Sequence, residues 1–254
     1  MDTLTNSNSN ANANWQSVLE RLSAALFLHG LDLCHPFSVA KYNRTVVGPM
    51  KLAQWEVANN LGILVANTRA LWPVFLKHLA NHPDWILWPD PLDNYVQSII
   101  ENALKSFPLR YEARWDFSRD EKLLPLQHVA EVTGFATRSV SYLSIHPKYG
   151  PWISLRAALS FDIEWPSSEP VTEVKSCSDC NPDCLSSFNA AREASKIRHP
   201  EKIAEHWPLW VATRDACTTG REYRFSDEQI EYHYTKDTRR LKSFVGKVNS
   251  HAYR

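Results

Sequence analysis

Glycine is scarce in this chain, with 7 in 254 residues, and neither G-x-G-x-x-G nor G-x-x-x-x-G-K-[ST] occurs. The usual phosphate-cradling loops are thereby excluded. Net charge is missing as well. The 28 Lys and Arg balance 28 Asp and Glu, which argues against a nucleic-acid binder or a polybasic membrane-surface protein. No apolar run approaches the roughly 18 residues of a membrane span, because Arg69, Lys77 and Arg156 interrupt the best stretches. The Asn/Ser/Thr-rich N-terminus, with no charged segment followed by an apolar stretch, is not expected to act as a signal peptide. H-E-x-x-H, G-x-S-x-G, and H-x-E paired with P-C-x-x-C are all absent, so the common zinc-hydrolase and serine-hydrolase routes find no support. Cysteines number five, an odd count that does not suit a secreted disulfide framework. Together these absences predict a reduced, soluble, intracellular protein, with no nucleic acid and no membrane.

Aromatic residues, by contrast, are plentiful: ten Trp, nine Tyr and ten Phe. A chain of this length buries roughly 70–75% of its unfolded surface, enough for a substantial core. Residues 1–14, with Asn at every second position from Asn6 to Asn14, lack the apolar area to offset ordering entropy and are expected to be a disordered head. Residues 15–250 are expected to form one domain. From Trp15 onward Val18, Leu19, Leu22, Ala25 and Leu26 follow helical spacing. A second helix is expected after Asp93 as N-cap, with Val96, Ile99, Ile100, Ala103 and Leu104 on one face, stopping before Pro108.

Residues 109–117 read as a strand, in which Leu109, Tyr111, Ala113, Trp115 and Phe117 alternate with Arg110, Glu112, Arg114 and Asp116. A short helix over 126–134 is closed by Gly134. Strands over 140–146 and 152–161 have the proportions of a hairpin joined by Pro147–Pro151. The stretch 166–186 reads as a loop, 187–205 as helical, and a C-terminal helix begins near Ser226-Asp227-Glu228. Hairpin signals without regular strand–helix–strand alternation give an α+β class with an antiparallel sheet.

Three places could carry chemistry. Cys177, Cys180 and Cys184 offer C-x2-C-x3-C, which could bind a metal if a distant His or Cys completed it, act as redox thiols, or simply sit in a loop. His128 and His146 lie among apolar residues, where a histidine is more often a core residue than a ligand. Arg156 falls inside an apolar strand, and a buried charge there needs a counter-ion or an anionic ligand. Arg214 and Arg240 follow in the last third, where each alone fits an ordinary ion pair.

An ordered set of segments resembles the cblC-type cobalamin-processing family. Ile145-His146-Pro147-Lys148-Tyr149-Gly150-Pro151-Trp152-Ile153-Ser154-Leu155-Arg156 is similar to the family's I-H-P-R-F-G-G-W-F-x-I-R. Pro36-Phe37-Ser38-Val39-Ala40-Lys41-Tyr42-Asn43, Asp90-Pro91-Leu92-Asp93 and His206-Trp207-x-x-Trp210 resemble its P-F-x-V-x-x-Y-N, D-P-V-D and H-W-x-x-W. Arg214-Asp215-Ala216 and Arg224-Phe225-Ser226-Asp227-Glu228-Gln229 complete a resemblance over roughly residues 16–245. The segment from Leu143 to Trp152 is also similar to cobalamin-dependent epoxyqueuosine reductases and reductive dehalogenases, whose cluster cysteines lie downstream.

The resemblance implies a flavin nitroreductase-like fold whose antiparallel sheet is flanked by helices. It implies reductive decyanation of cobalamin with reduced FAD or FMN, and dealkylation by glutathione. Arg156, Arg214 and Arg240 would hold glutathione, and His128, His146, Tyr149, Gly150, Trp152 and Trp210 would line the cobalamin site. A downstream cobalamin-trafficking protein is the partner it implies. Pro151, in place of the second Gly of G-G-W, and Glu131 keep two other readings open: a repurposed enzyme acting on another small metabolite without cobalamin, and a non-catalytic cobalamin chaperone.

Overall fold

The computed structural model describes residues 14–117, 124–166, 177, 183–196 and 200–251. Helix α1 (Trp15–Phe27) starts at Asn14, whose Oδ1 accepts from Ser17 N at 2.8 Å. The last Asn of the head is thus an N-cap; residues 1–13 lie outside the described residues. The α1 face of Val18, Leu22 and Leu26 is buried, as the periodicity requires.

Four strands form one antiparallel sheet: β1 (Leu33–Ser38), β2 (Asn60–Asn67), β3 (Tyr111–Trp115) and β6 (Ser154–Glu164), in the order β1-β2-β6-β3. Central β2 is buried along its whole length, because the sheet is covered on both faces. Leu61, Ile63 and Val65 join a core with α1, α3 (Leu71–Asn81), α4 (Pro91–Leu104) and the C-terminal α10 (Thr238–His251). Leu64 and Ala66 join a second core with α2 (Val39–Asn43) and α5 (Leu126–Val132). The fold is therefore α+β, with helices on both sides of an antiparallel sheet. Among the described residues no helix is long and apolar enough to cross a membrane.

Several elements differ from expectation. Helix α4 begins at Pro91, not after Asp93: Asp90 is the flanking residue in a left-handed conformation, and Pro91 tolerates the first helical position because it has no N–H to satisfy. Strand β3 packs Ala113 and Trp115 on the first core, while Tyr111 stays exposed, yet the strand's charged face is partly covered too. Arg114 is 6% exposed, 3.0 Å from Glu112 and donating to the Pro49 carbonyl. The expected hairpin of 140–146 with 152–161 does not form. Both edges of β6 are taken, by β2 and by β3, so β5 (Ser144–Ile145) pairs with β4 (Thr137–Arg138). The stretch expected to be loop to residue 186 enters α6 (Asp183–Ser195) at Asp183, and Pro200 opens a separate α7 (Pro200–Glu205). Helices α8 (Trp207–Asp215) and α9 (Asp227–Thr235) follow; α9 starts where a helix was expected, with Ser226 as its N-cap, but it ends at Thr235 and the C-terminal helix is the separate α10.

The Pro147–Pro151 turn closes on itself. His146 N donates to Gly150 O at 2.9 Å and Gly150 N to His146 O at 2.8 Å. Gly150 (φ +55) then crosses Gly220 (φ +70) so closely that a Cβ on Gly150 would lie 1.9 Å from the Thr219 oxygen. Only glycine suits both the dihedral and the approach. This crossing seats Trp152 against Val211, Phe225 and Ile230, a third small core joining the sheet to α8 and α9. Gly150→Ala should therefore destabilise the protein by roughly 1–3 kcal/mol, read as a lower denaturant midpoint at unchanged slope; an unshifted midpoint contradicts the crossing.

Candidate functional site

One residue out of register shapes the site. Val65 pairs with Ala157 and Ala66 with Leu155, so Arg156 is the extra residue of a β-bulge in β6. Beyond the bulge Ala158 faces the second core while Ala157 faces the first; before it, Ile153 and Leu155 face the second. Strict alternation from Ala158 would send Arg156 into the second core. The bulge turns it to the α4 side instead, a re-aiming that bulges commonly perform beside sites.

There Arg156 is 4% exposed. Its Nε donates to Asn67 Oδ1 at 2.7 Å, Nη1 lies 3.6 Å from Asp93 Oδ1, and Nη2, though buried, has no hydrogen-bond partner. The Lys236 ammonium adds a second cation, 3.3 Å from Asp93 Oδ2. A buried guanidinium so loosely paired suits an anionic ligand, because desolvating it is costly until its N–H groups are filled.

Arg156 lies in the wall of a cavity of about 450 Å3 that also takes in Trp152, Arg214, Phe225, His233 and Tyr234. That volume falls in the range of small-molecule sites. The Trp152 ring meets Phe225 edge-on at 5.7 Å, and the Arg224 guanidinium lies 5.4 Å from its centre. Arg224 is fixed by Asp215 and Asp227, each at 2.7 Å. On α8, Arg214 donates to the Pro151 carbonyl and, through Nε at 3.3 Å, to Tyr234 Oη. Pro151 thus contributes its oxygen to holding an arginine. Asp116 reaches water inside the concavity, yet the protein crowded around it pushes its carboxyl up to about 6, against the pull of Arg156 and Lys236. Burial, with Arg156, Lys236 and Arg214 nearby, holds His233 neutral.

Of the residues singled out from sequence, Trp152, Arg156 and Arg214 come together in this cavity. Arg240 sits elsewhere, bidentate on Glu231 at 2.7 and 2.9 Å. His128 bonds the Thr45 hydroxyl at 2.9 Å. Trp210 donates to Ser195 Oγ at 2.9 Å. Tyr149 turns to a separate cleft with Tyr223 and Trp72, and Gly150 serves the backbone crossing. Cys177 is half-buried, Cys184 is buried in the first turn of α6, and Cys180 lies outside the described residues. Among the described residues no three His, Cys, Asp or Glu side chains converge on a metal position. Sequence reading missed Asp116, His233, Tyr234 and Lys236, and took Asp93 for a helix cap. Nothing in their local sequence sets them apart.

No family model matches the chain. Among curated proteins it is similar to the cyanocobalamin reductase / alkylcobalamin dealkylase of Mus musculus, 28% identical over 227 residues, covering 82% of this chain and 75% of that one. The Gallus gallus protein of the same name is 26% identical over 249 residues, with coverages of 89% and 95%. A solved structure of the C. elegans B12-trafficking protein CblC superposes with a TM-score of 0.63 at 18% identity, covering 89% of this chain and 94% of that one. The last likeness is one of fold.

His146 links this region to pH. Its Nδ1 accepts from the backbone N–H of Lys148 at 3.1 Å and of Tyr149 at 3.3 Å. Burial, reinforced by His35 and Lys148, lowers its pKa to about 4. The unfolded chain, with an ordinary histidine, binds more protons between about pH 6.5 and 4, so stability falls as the pH drops through that window. His146→Asn keeps an acceptor but does not titrate. It should remove roughly 1–3 kcal/mol of the acid-induced loss, measured as denaturation midpoints at pH 7 and pH 4.5; equal losses in both proteins would exclude His146 as the source.

Proposed function

We propose that this chain, which belongs to the cblC-type cobalamin-processing family, binds a cobalamin at the cavity of Trp152, Arg156 and Arg214 and removes its upper axial ligand. The observation that carries the reading is the under-bonded buried guanidinium of Arg156 beside Arg214, in the wall of an aromatic-lined cavity. It is supported by similarity to the curated reductase/dealkylases over most of the chain. Trp152, Phe225 and Ile230 supply apolar surface for a macrocycle and keep bulk water from the reacting bond.

For an alkylcobalamin, the glutathione thiolate would attack the cobalt-bound carbon: a sulfur–carbon bond forms, the cobalt–carbon bond breaks with its electron pair left on cobalt, and the alkyl group departs as a glutathione thioether. Arg156 and Arg214 bind and orient the tripeptide, whose two carboxylates call for guanidinium partners. For cyanocobalamin, reduced FAD or FMN would arrive as a second substrate and be oxidised as it reduces cobalt, and the upper ligand would depart as cyanide. The processed cobalamin passes to a downstream trafficking protein in the cytoplasm, and the flavin nitroreductase-like fold label belongs to this same reading. Arg240, on Glu231 outside the cavity, takes part in glutathione binding only after leaving that carboxylate.

The family resemblance implies that cobalamin binds base-off, with its lower nucleotide base released from cobalt, so titration of the purified protein with methylcobalamin should shift its visible spectrum accordingly. No shift at saturating protein overturns the reading. Arg214→Ala should lower glutathione-dependent turnover by about tenfold or more while changing cobalamin affinity far less, since it removes a charge-assisted contact to one substrate. Equal loss of both would remove Arg214 from the glutathione role.

A further inference from the structure

The cavity floor carries two negative charges as well as two positive ones. Asp93 and Asp116 border the same space as Arg156 and Lys236. Their placement is built in. Asp93 stands in the first turn of α4 and is held by both cations, at 3.6 Å from Arg156 and 3.3 Å from Lys236. Asp116 directly follows β3, and its N–H donates to the Arg156 carbonyl at 3.2 Å, so backbone pairing sets it beside the bulge. Its carboxylate opens onto the cavity, while the neighbouring Nη2 of Arg156 is buried without an acceptor.

A ligand bearing only a carboxylate would bring a third like charge against Asp93 and Asp116, which electrostatic complementarity disfavours. A ligand carrying an ammonium and a carboxylate on one carbon meets both signs. We propose that the cavity floor is a subsite for an α-amino acid head: Arg156 and Lys236 take the α-carboxylate, and Asp116, with Asp93, takes the α-ammonium. The inference rests on the glutathione reading above and sets the orientation of the tripeptide. Its γ-glutamyl end is the end that bears both groups, so that end enters the floor and leaves the glycine carboxylate for Arg214. Asp116 then selects thiols that carry a free amino acid head over simple acidic thiols.

The test is calorimetric titration of the full-length protein with S-methylglutathione, which cannot react, and with its N-acetyl derivative, which has lost the ammonium. The expected result is binding of S-methylglutathione about tenfold tighter than of the acetylated compound, the scale of one such charge contact. Asp116→Asn should abolish that preference by weakening the free-amine ligand alone, and Asp116→Glu should restore part of it. Asp116 is at the cavity surface, and unchanged denaturation midpoints in the variants confirm that folding is not the cause. Equal binding of the two compounds by the unmodified protein, or a preference that survives Asp116→Asn, overturns the amino acid subsite while leaving the glutathione reading in place. Binding of neither compound overturns the glutathione reading and the subsite with it.

Discussion

The arrangement around the cavity depends on a charged group held where a charge is expensive. Arg156 sits in the longest strand of the sheet, flanked by chains on both sides, and a guanidinium there must be supplied with acceptors or it destabilises the fold. Asn67 supplies one at 2.7 Å, Asp93 lies at 3.6 Å, and Nη2 is left over. Leaving it so is a stability cost that a purely structural strand would have no reason to carry, since an apolar residue would pack as well. The unsatisfied N–H is what gives the cavity its demand for an anion, and it is the physical root of the proposed reading.

Satisfying the backbone around that arginine organises the neighbouring elements. The bulge between the pairs Val65–Ala157 and Ala66–Leu155 turns the side chain toward α4. That brings it against Asp93, and Lys236 comes in from the end of α9, where it adopts a left-handed conformation as the helix stops. The opposite wall is set by a different constraint, the contact of Gly150 with Gly220. That contact fixes Trp152 and, through the Pro151 carbonyl, the Arg214 side chain. Two backbone irregularities, a bulge and a crossing of left-handed glycines, thus aim the two arginines into one space.

Much of the fold was legible in the chain itself. The periodicity of Val18, Leu22 and Leu26, the alternation through Ala113 and Trp115, the helix end at Gly134 and the helix start near Ser226 depend on interactions a few residues apart, and these survive folding unchanged. The resemblance of their segments to cobalamin-processing proteins singled out Arg156 and Arg214 together with Arg240, and Trp152 among five other residues; of these the fold brings Arg156, Arg214 and Trp152 to one cavity. The hairpin expected across Pro147–Pro151 failed because pairing is a competition. Once β2 and β3 occupy both edges of β6, the preceding segment has no edge to join, and no local signal records that.

Composition and spacing by themselves determined that this is an α+β chain without a nucleotide loop, with a neutral overall charge and a buried arginine in need of an anion. The tertiary structure decided what surrounds that arginine. Asp93, Asp116, His233 and Lys236 are dispersed over more than a hundred positions of sequence and look like ordinary surface or cap residues in it. They border one cavity with Arg156 because a bulge adds one residue to a strand and thereby chooses which face of the sheet a guanidinium occupies. Register of that kind is set by the partner strand, and no window of the sequence contains both partners.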